Sequence, residues 1–210
     1  MVRRHAEEID LGRLELRLRA PKPGLASQLK MVPNPRPGDK TYQDVGDSCN
    51  KAGVLVLLYP RQGRIHVVLT RRTSSVAQHQ AQISFPGGHQ DSHESVLETA
   101  LREAEEELNV APSSVRILGE LTPLYIPPSH YCIYPVVAAT ESRPDFRPSP
   151  HEVAEVLEIP LDHLLDADNV KREIWELRGL NVSVPFYLFR GHKIWGATAM
   201  VVAELLDLIE

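Results

Sequence analysis

Cysteine is nearly absent, with only Cys49 and Cys132 in 210 residues. They lie far apart, with no metal-ligand spacing and no disulfide framework, so the expectation is two buried thiols in a reducing compartment. An excess of basic charge is missing too. The 23 Lys and Arg against 28 Asp and Glu leave a net charge of −5. That excludes the electrostatic footprint of a polymeric nucleic-acid binder. It leaves room for a small anionic substrate, because a metal ion and a few local arginines can reverse the sign inside a cleft. No stretch approaches the ~20 apolar residues that span a bilayer, so no membrane partner is expected. The start, Met1 to Asp10, is charged and lacks the apolar core of a signal peptide. A cytoplasmic protein follows as the expectation. No repeat or low-complexity tract is visible.

What is present is ordinary for a globular chain: 42% apolar and 24% charged residues. The length suits one domain with elaborations. Prolines are many, 17 in all, clustered in 21–37, 123–128 and 144–150, which predicts irregular loops there. Residues 1–37 read as an N-terminal extension. Leu14, Leu16 and Leu18 alternate as in a strand, while Ile9, Leu11 and Leu14 suit a helix, so periodicity leaves both open. Pro33 to Gly38 is a breaker and the expected linker into a domain over 38–210.

Ala52 to Tyr59 is a continuous apolar run, as in a strand buried on both faces. With the turn at 61–64 and the strand Ile65 to Thr70, it predicts a hairpin. Further strands are expected at Ile83 to Phe85, Val115 to Leu121, Tyr134 to Ala139, Val153 to Ile159 and Val182 to Phe189. Leu161 to Leu165 reads as one helical turn and Ala197 to Leu208 as a C-terminal helix. Residues 166–180 give no readable role. The sum is a mixed α/β domain.

The helix over 96–108 is the best defined element. Ser95 can cap it, with Glu98 three residues on. Leu97, Leu101, Ala104 and Leu108 form one apolar stripe. Asn109 tolerates the left-handed conformation that ends helices. Opposite the stripe, Glu103, Glu106 and Glu107 stand at i, i+3 and i+4, three carboxylates within one turn. Each like-charged pair costs a few tenths of a kcal/mol. Acidic helix faces are commonly just solvated. A hard divalent cation would reverse the sign of that repulsion, since magnesium takes carboxylates together with waters and phosphate oxygens.

Gly88, Glu94, Arg102, Glu103, Glu106 and Glu107 together resemble the Nudix box: a glycine, five residues, a glutamate, seven residues, then Arg-Glu-apolar-any-Glu-Glu-any-Gly-apolar. Asn109 stands where the family has glycine, and every charged position matches. The resemblance implies an α/β/α sandwich with a mixed sheet and a carboxylate-bearing catalytic helix. It implies that Glu103, Glu106 and Glu107, with the carbonyl of Gly88, bind Mg2+ or Mn2+. Arg102 would hold a site carboxylate and Glu94 would brace the loop–helix junction. The implied reaction is hydrolysis of a diphosphate linkage by water activated at the metal. The general base would be Glu106, with Glu152 and Glu155 as alternatives.

Three further segments resemble the coenzyme A pyrophosphatase branch: Val68 to Arg72 leading to Phe85-Pro86-Gly87-Gly88, Glu152 to Val156 followed by Ile159-Pro160-Leu161, and Ile194 to Ala199. Leu69, Thr70, Arg72 and Phe85 to Gly88 keep the branch motif. Val68, Thr73, Ala77 and Ala81 depart from it. That branch would cleave coenzyme A or acyl-coenzyme A to adenosine 3′,5′-bisphosphate and the phosphopantetheine half. Arg71, Arg72 and Phe85 would be the substrate contacts, with His79 and Gln82 in the same loop. Tyr125, His130, Tyr131 and Trp195 could meet a base, although aromatics at such places more often pack the fold. Two alternatives stand beside it: a pyrophosphatase for ADP-ribose or a dinucleotide, and a non-catalytic nucleotide-binding module. A domain whose acidic face serves protein contacts is a third. A homodimer is left open, with 1–37 packed across or swapped.

Overall fold

Leu14 and Leu18 turn inward one helical turn apart, while Leu16 stays 69% exposed. The first leucines therefore build a helix, α1 (Leu11–Arg19), with the Asp10 carboxylate accepting from the N–H groups of Gly12 and Arg13 as its N-cap. The structure is a computed structural model and describes residues 9–36, 38, 40–73 and 82–210. Two short helices follow, α2 (Leu25–Gln28) and α3 (Tyr42–Val45).

The apolar run then forms β1 (Asn50–Arg61), which turns through Gln62 and Gly63, φ 51° and 72°, into β2 (Arg64–Arg72). After β3 (Ile83–Ser84) and β4 (Gly87–His89) comes α4 (Val96–Leu108). Strands β5 (Arg116–Glu120), β6 (Leu124–Ile126), β7 (Tyr131–Ala139) and β8 (Val153–Pro160) complete the main sheet. The chain ends with α5 (Leu161–Leu165), β9 (Val170–Leu177), β10 (Leu180–Phe189), β11 (His192–Trp195) and α6 (Gly196–Ile209).

The main sheet runs β3-β2-β1-β7-β5, with β8 on β2, β4 on β1 and β6 on β7. β1 and β7 are parallel and the other pairs antiparallel, so the sheet is mixed. Alternation along β1 explains the unbroken apolar run. Leu55, Leu57 and Tyr59 meet Ala100, Ala104 and Leu108 of α4 on one face. Val56 and Leu58 meet Val202 and Leu206 of α6 and Leu14 and Leu18 of α1 on the other. Each such side chain contributes about 2 kcal/mol of burial, so a polar residue on either face would be costly. The result is an α/β/α sandwich. A second sheet, β11-β10-β9, takes up residues the sequence left without a role, closing its hairpin through Arg178 and Gly179 at φ 53° and 75°.

One expectation changes. Cys49 and Cys132 form a disulfide, with Cα atoms 5.8 Å apart. The parallel register that sets Asn50 opposite Tyr131 and Lys51 opposite Cys132 brings the two together. No local spacing could announce that pairing, and with it goes the thiol-based ground for a reducing compartment. The described part of 9–36 is docked on the domain: Leu14, Leu18 and Met31 lie in the core cluster below the sheet, and Asn34 in the expected linker bridges to Ser183. Among the described residues no helix is long and apolar enough to cross a membrane.

Candidate active site on the carboxylate helix

Local chemistry sets α4 in place. Ser95 and Glu98 form a complete capping box, and Asn109 ends the helix at φ 60°, ψ 37°. Two glycines decide how closely it sits. A Cβ on Gly53 of β1 would strike the backbone carbonyl of Val96, so the helix rests directly on the strand. A Cβ on Gly88 of β4 would fall on the carboxylate of Glu103. Gly88 pairs with Gly53 across β1 and β4, so strand, loop and helix meet at one point, and there the first carboxylate lies.

Arg102 organises the surroundings. Its Nε donates to Glu94 Oε1 at 2.7 Å and Nη2 to Glu94 Oε2 at 3.2 Å, a forked pair. Nη1 donates to Glu103 at 2.9 Å and to Glu106 at 3.1 Å, while Nη2 also reaches the His89 carbonyl at 3.3 Å. These bonds hold the Glu94 carboxyl below its ordinary range. Glu94 also accepts from the Thr99 hydroxyl at 3.0 Å.

Glu107 behaves differently. It is 3% exposed, and its hydrogen-bonding side-chain partner is the Thr70 hydroxyl at 3.4 Å. Burial pushes its carboxyl up to about 7, against the pull of the Arg72 charge and with the added repulsion of Glu103 and Glu152. Glu103 is also raised, by burial first and then by the charges of Glu106 and Glu152, against Arg102. The loop bearing Glu152 is tied to the end of α4. The N–H of Arg147 donates to the Leu108 carbonyl at 3.0 Å and that of Ser149 to the Glu107 carbonyl at 2.9 Å. Thr73 fastens the other side, its hydroxyl on the His151 carbonyl at 2.8 Å and its N–H on the Glu152 carbonyl at 3.0 Å. Carboxylates from helix and loop are thereby brought together, and the Glu152 charge adds to the rise of Glu103 and Glu107.

This donor set fits a hard divalent cation. Buried anions that repel one another gain most from one, and magnesium needs only a few carboxylates beside waters and phosphate oxygens. Among the described residues, no three acidic, imidazole or thiol groups form a ready-made cage; Arg102 bridges Glu103 and Glu106 instead.

The other expected residues separate clearly. Arg72 places its Nε buried without a hydrogen-bond partner among the described residues, close enough to pull on Glu107. Arg71 instead donates to Glu155 at 3.0 Å, and Glu155 faces His192 at 3.3 Å. That pairing holds Glu155 low, Arg71 being the main cause. Phe85 needs correction. It is 3% exposed and buried in the core cluster with Ile83, where it packs the fold beside Pro86 to Gly88 rather than facing a cleft. Tyr125 and His130 hydrogen-bond each other at 3.0 Å and pack the loop beside the disulfide, while Tyr131 meets the ring of His89. Trp195 packs on Trp175. Ala77, His79 and Ala81 lie outside the described residues. Gly53 was missed, and Thr70 and Thr73 were read only as motif positions, with nothing in the sequence to signal what they hold. Only the fold shows what they hold.

Comparison with known proteins gives one answer. Residues 50–177 match the family model described as the NUDIX domain. An "Uncharacterized Nudix hydrolase NudL" of Photorhabdus laumondii subsp. laumondii is 32% identical over 87% of this chain and 94% of its own length. A protein of the same description from Pectobacterium atrosepticum is 33% identical over 85% and 88%. The crystal structure of a MutT protein from Methanosarcina mazei Go1 aligns at 17% identity over 75% of this chain and 92% of that one, TM-score 0.49. A match over more than half of the chain, and relatives similar over nearly their full length, make this chain a member of the Nudix family and a Nudix hydrolase.

Proposed function

We propose that this chain hydrolyses the diphosphate linkage of a nucleoside diphosphate derivative with a divalent cation, Mg2+ or Mn2+, and that coenzyme A or an acyl-coenzyme A is its substrate. The products would be adenosine 3′,5′-bisphosphate and (acyl-)phosphopantetheine. The observation that carries the chemistry is the crowding of Glu103, Glu107 and Glu152, with the Glu103 carboxylate against Gly88 and Glu107 buried. Glu103, Glu106, Glu107 and the Gly88 carbonyl would hold the cation. It would supply neutralising charge to the diphosphate and acidify the attacking water. Arg102 keeps Glu103 and Glu106 in register. Glu106, or Glu152 from the facing loop, would take the proton as the water oxygen bonds to phosphorus. The bridging P–O bond would break with its electron pair staying on the departing phosphate. Arg72 would hold a non-bridging oxygen. Residues 38–210 would form the hydrolase domain and the reaction would run in the cytoplasm.

The coenzyme A reading rests on Leu69, Thr70, Arg72 and Phe85 to Gly88, together with the segments at 152–161 and 194–199. The departures at Thr73, Ala77 and Ala81 favour a second reading, ADP-ribose or a dinucleotide. The deciding experiment incubates the protein and its Glu106→Gln variant with Mg2+ and coenzyme A, acetyl-coenzyme A, ADP-ribose, NADH and diadenosine polyphosphates, reading products by mass spectrometry. Adenosine bisphosphate from coenzyme A, lost in the variant, is expected. Turnover of ADP-ribose or a dinucleotide instead would keep the chemistry and overturn the substrate. No turnover with any metal would bring forward the non-catalytic binding module.

A further inference from the structure

Strand β9 is the free edge of the three-stranded sheet: among the described residues no strand pairs with its outer side. Val170 to Ile174 and Glu176 are exposed, Ile174 by 68%. The direction of its unpaired backbone groups follows from the register. Ile174 stands opposite Ser183 of β10. Ser183 gives its N–H to Asn34 at 2.8 Å and accepts from Asn34 at 2.9 Å, away from β9. The Ile174–Ser183 pair is therefore a non-hydrogen-bonded pair of the ladder. The N–H and C=O of Ile174 point outward, and by alternation so do those of Arg172 and Glu176. The side chains of these three residues share one face.

An exposed edge pairs with another strand unless something opposes it, and natural edges are commonly guarded by charge. Here the charges are of opposite sign and sit symmetrically about Ile174, Arg172 two residues before it and Glu176 two after. We propose that the outer edge of β9 is a self-recognition surface. Two copies join antiparallel about a two-fold axis at Ile174. Ile174 then meets its own mate, and Arg172 meets the Glu176 of the second copy, twice by symmetry. The three residues whose backbone groups are free are also the three that pair. The register is selected as well. Centring one residue earlier sets Glu173 against Glu173, and one residue later sets Arg172 against Arg178. Two residues away, Arg172 or Glu176 faces itself. Centring on Arg172 would pair Lys171 with Glu173 but sets two guanidinium groups on the axis, whereas the Ile174 centre joins opposite charges and opposes no like charges. Neither Arg172 nor Glu176 makes an ion pair among the described residues, so both are free to do so. The surface is independent of the hydrolase reading.

Sedimentation velocity on the full chain at low salt, over a hundredfold range of concentration, tests the proposal. The expected result is a concentration-dependent dimer that salt weakens. Glu176→Arg should weaken association about tenfold or more, and the double exchange Arg172→Glu with Glu176→Arg should restore it. Ile174→Lys, which sets two ammonium groups on the axis, gives an independent second loss. These are exposed positions, and an unchanged circular dichroism spectrum and unfolding midpoint would show that each variant folds. A wild-type protein that stays monomeric at every concentration overturns the proposal, as does a dimer that Glu176→Arg and Ile174→Lys leave unchanged.

Discussion

Two glutamates are buried among the described residues, one on each helix layer, and they are treated oppositely. Glu204 of α6 is fully buried and richly supplied with donors: the Thr122 hydroxyl at 2.6 Å, the Thr122 N–H at 3.1 Å and the Gln28 amide at 2.9 Å. Glu107 of α4 is almost as buried, yet its donors are the Thr70 hydroxyl at 3.4 Å and the Gly87 N–H, and beside the Arg72 charge it has two carboxylates as neighbours. The same fold can satisfy a buried carboxylate and does so where the residue joins α2, α6 and the loop after β5. Leaving Glu107 undersupplied costs stability, and a cation would return it. The comparison teaches that donor supply separates a structural carboxylate from a functional one better than burial does.

The largest effect expected is on turnover. Glu103→Gln, Glu106→Gln and Glu107→Gln should each lower kcat/KM roughly a thousandfold or more, measured on whichever substrate the panel identifies, with folding intact. Glu204→Leu should do the reverse. It strands three donors and should cost about 3 kcal/mol in urea unfolding, while the activity of the folded fraction is kept. A Glu204 variant that loses activity without stability would break the comparison.

Arg102→Lys comes next. Lysine cannot fork to Glu94 and still reach Glu103 and Glu106, so activity should fall roughly 10- to 100-fold, with a higher metal requirement. The smallest effect is in the pH dependence of the metal-free protein. The unfolded Glu107 carboxyl releases its proton near 4.5, whereas the folded one keeps it to about 7. Over that interval the native state binds more protons, so stability falls as pH rises. The slope in unfolding experiments should flatten in Glu107→Gln.

Much of this site was legible because it is local. Ser95, Glu98, the leucine stripe and Asn109 lie within one short stretch and define α4 end to end. Three glutamates at i, i+3 and i+4 need only helical geometry to share a face. The apolar run of β1 foretold burial on both sides. What escaped is non-local or lacks a period. The disulfide depends on the register between β1 and β7. Leu14 and Leu18 face the core while Leu16 does not, so an apparent strand alternation was a helix. β9 is exposed along most of its length and carries no alternation to read. Arg71 and Arg72 look alike in sequence, and only the partner strand β8 sends one to Glu155 and leaves the other beside Glu107.

The most direct test is a calorimetric titration of Mn2+ into the wild-type protein, Glu107→Gln and Glu204→Gln. The account predicts binding by the wild type, loss of most of that affinity in Glu107→Gln, and no change in Glu204→Gln. A wild-type protein that takes up no divalent cation, or a Glu107→Gln variant that binds as tightly, would contradict it.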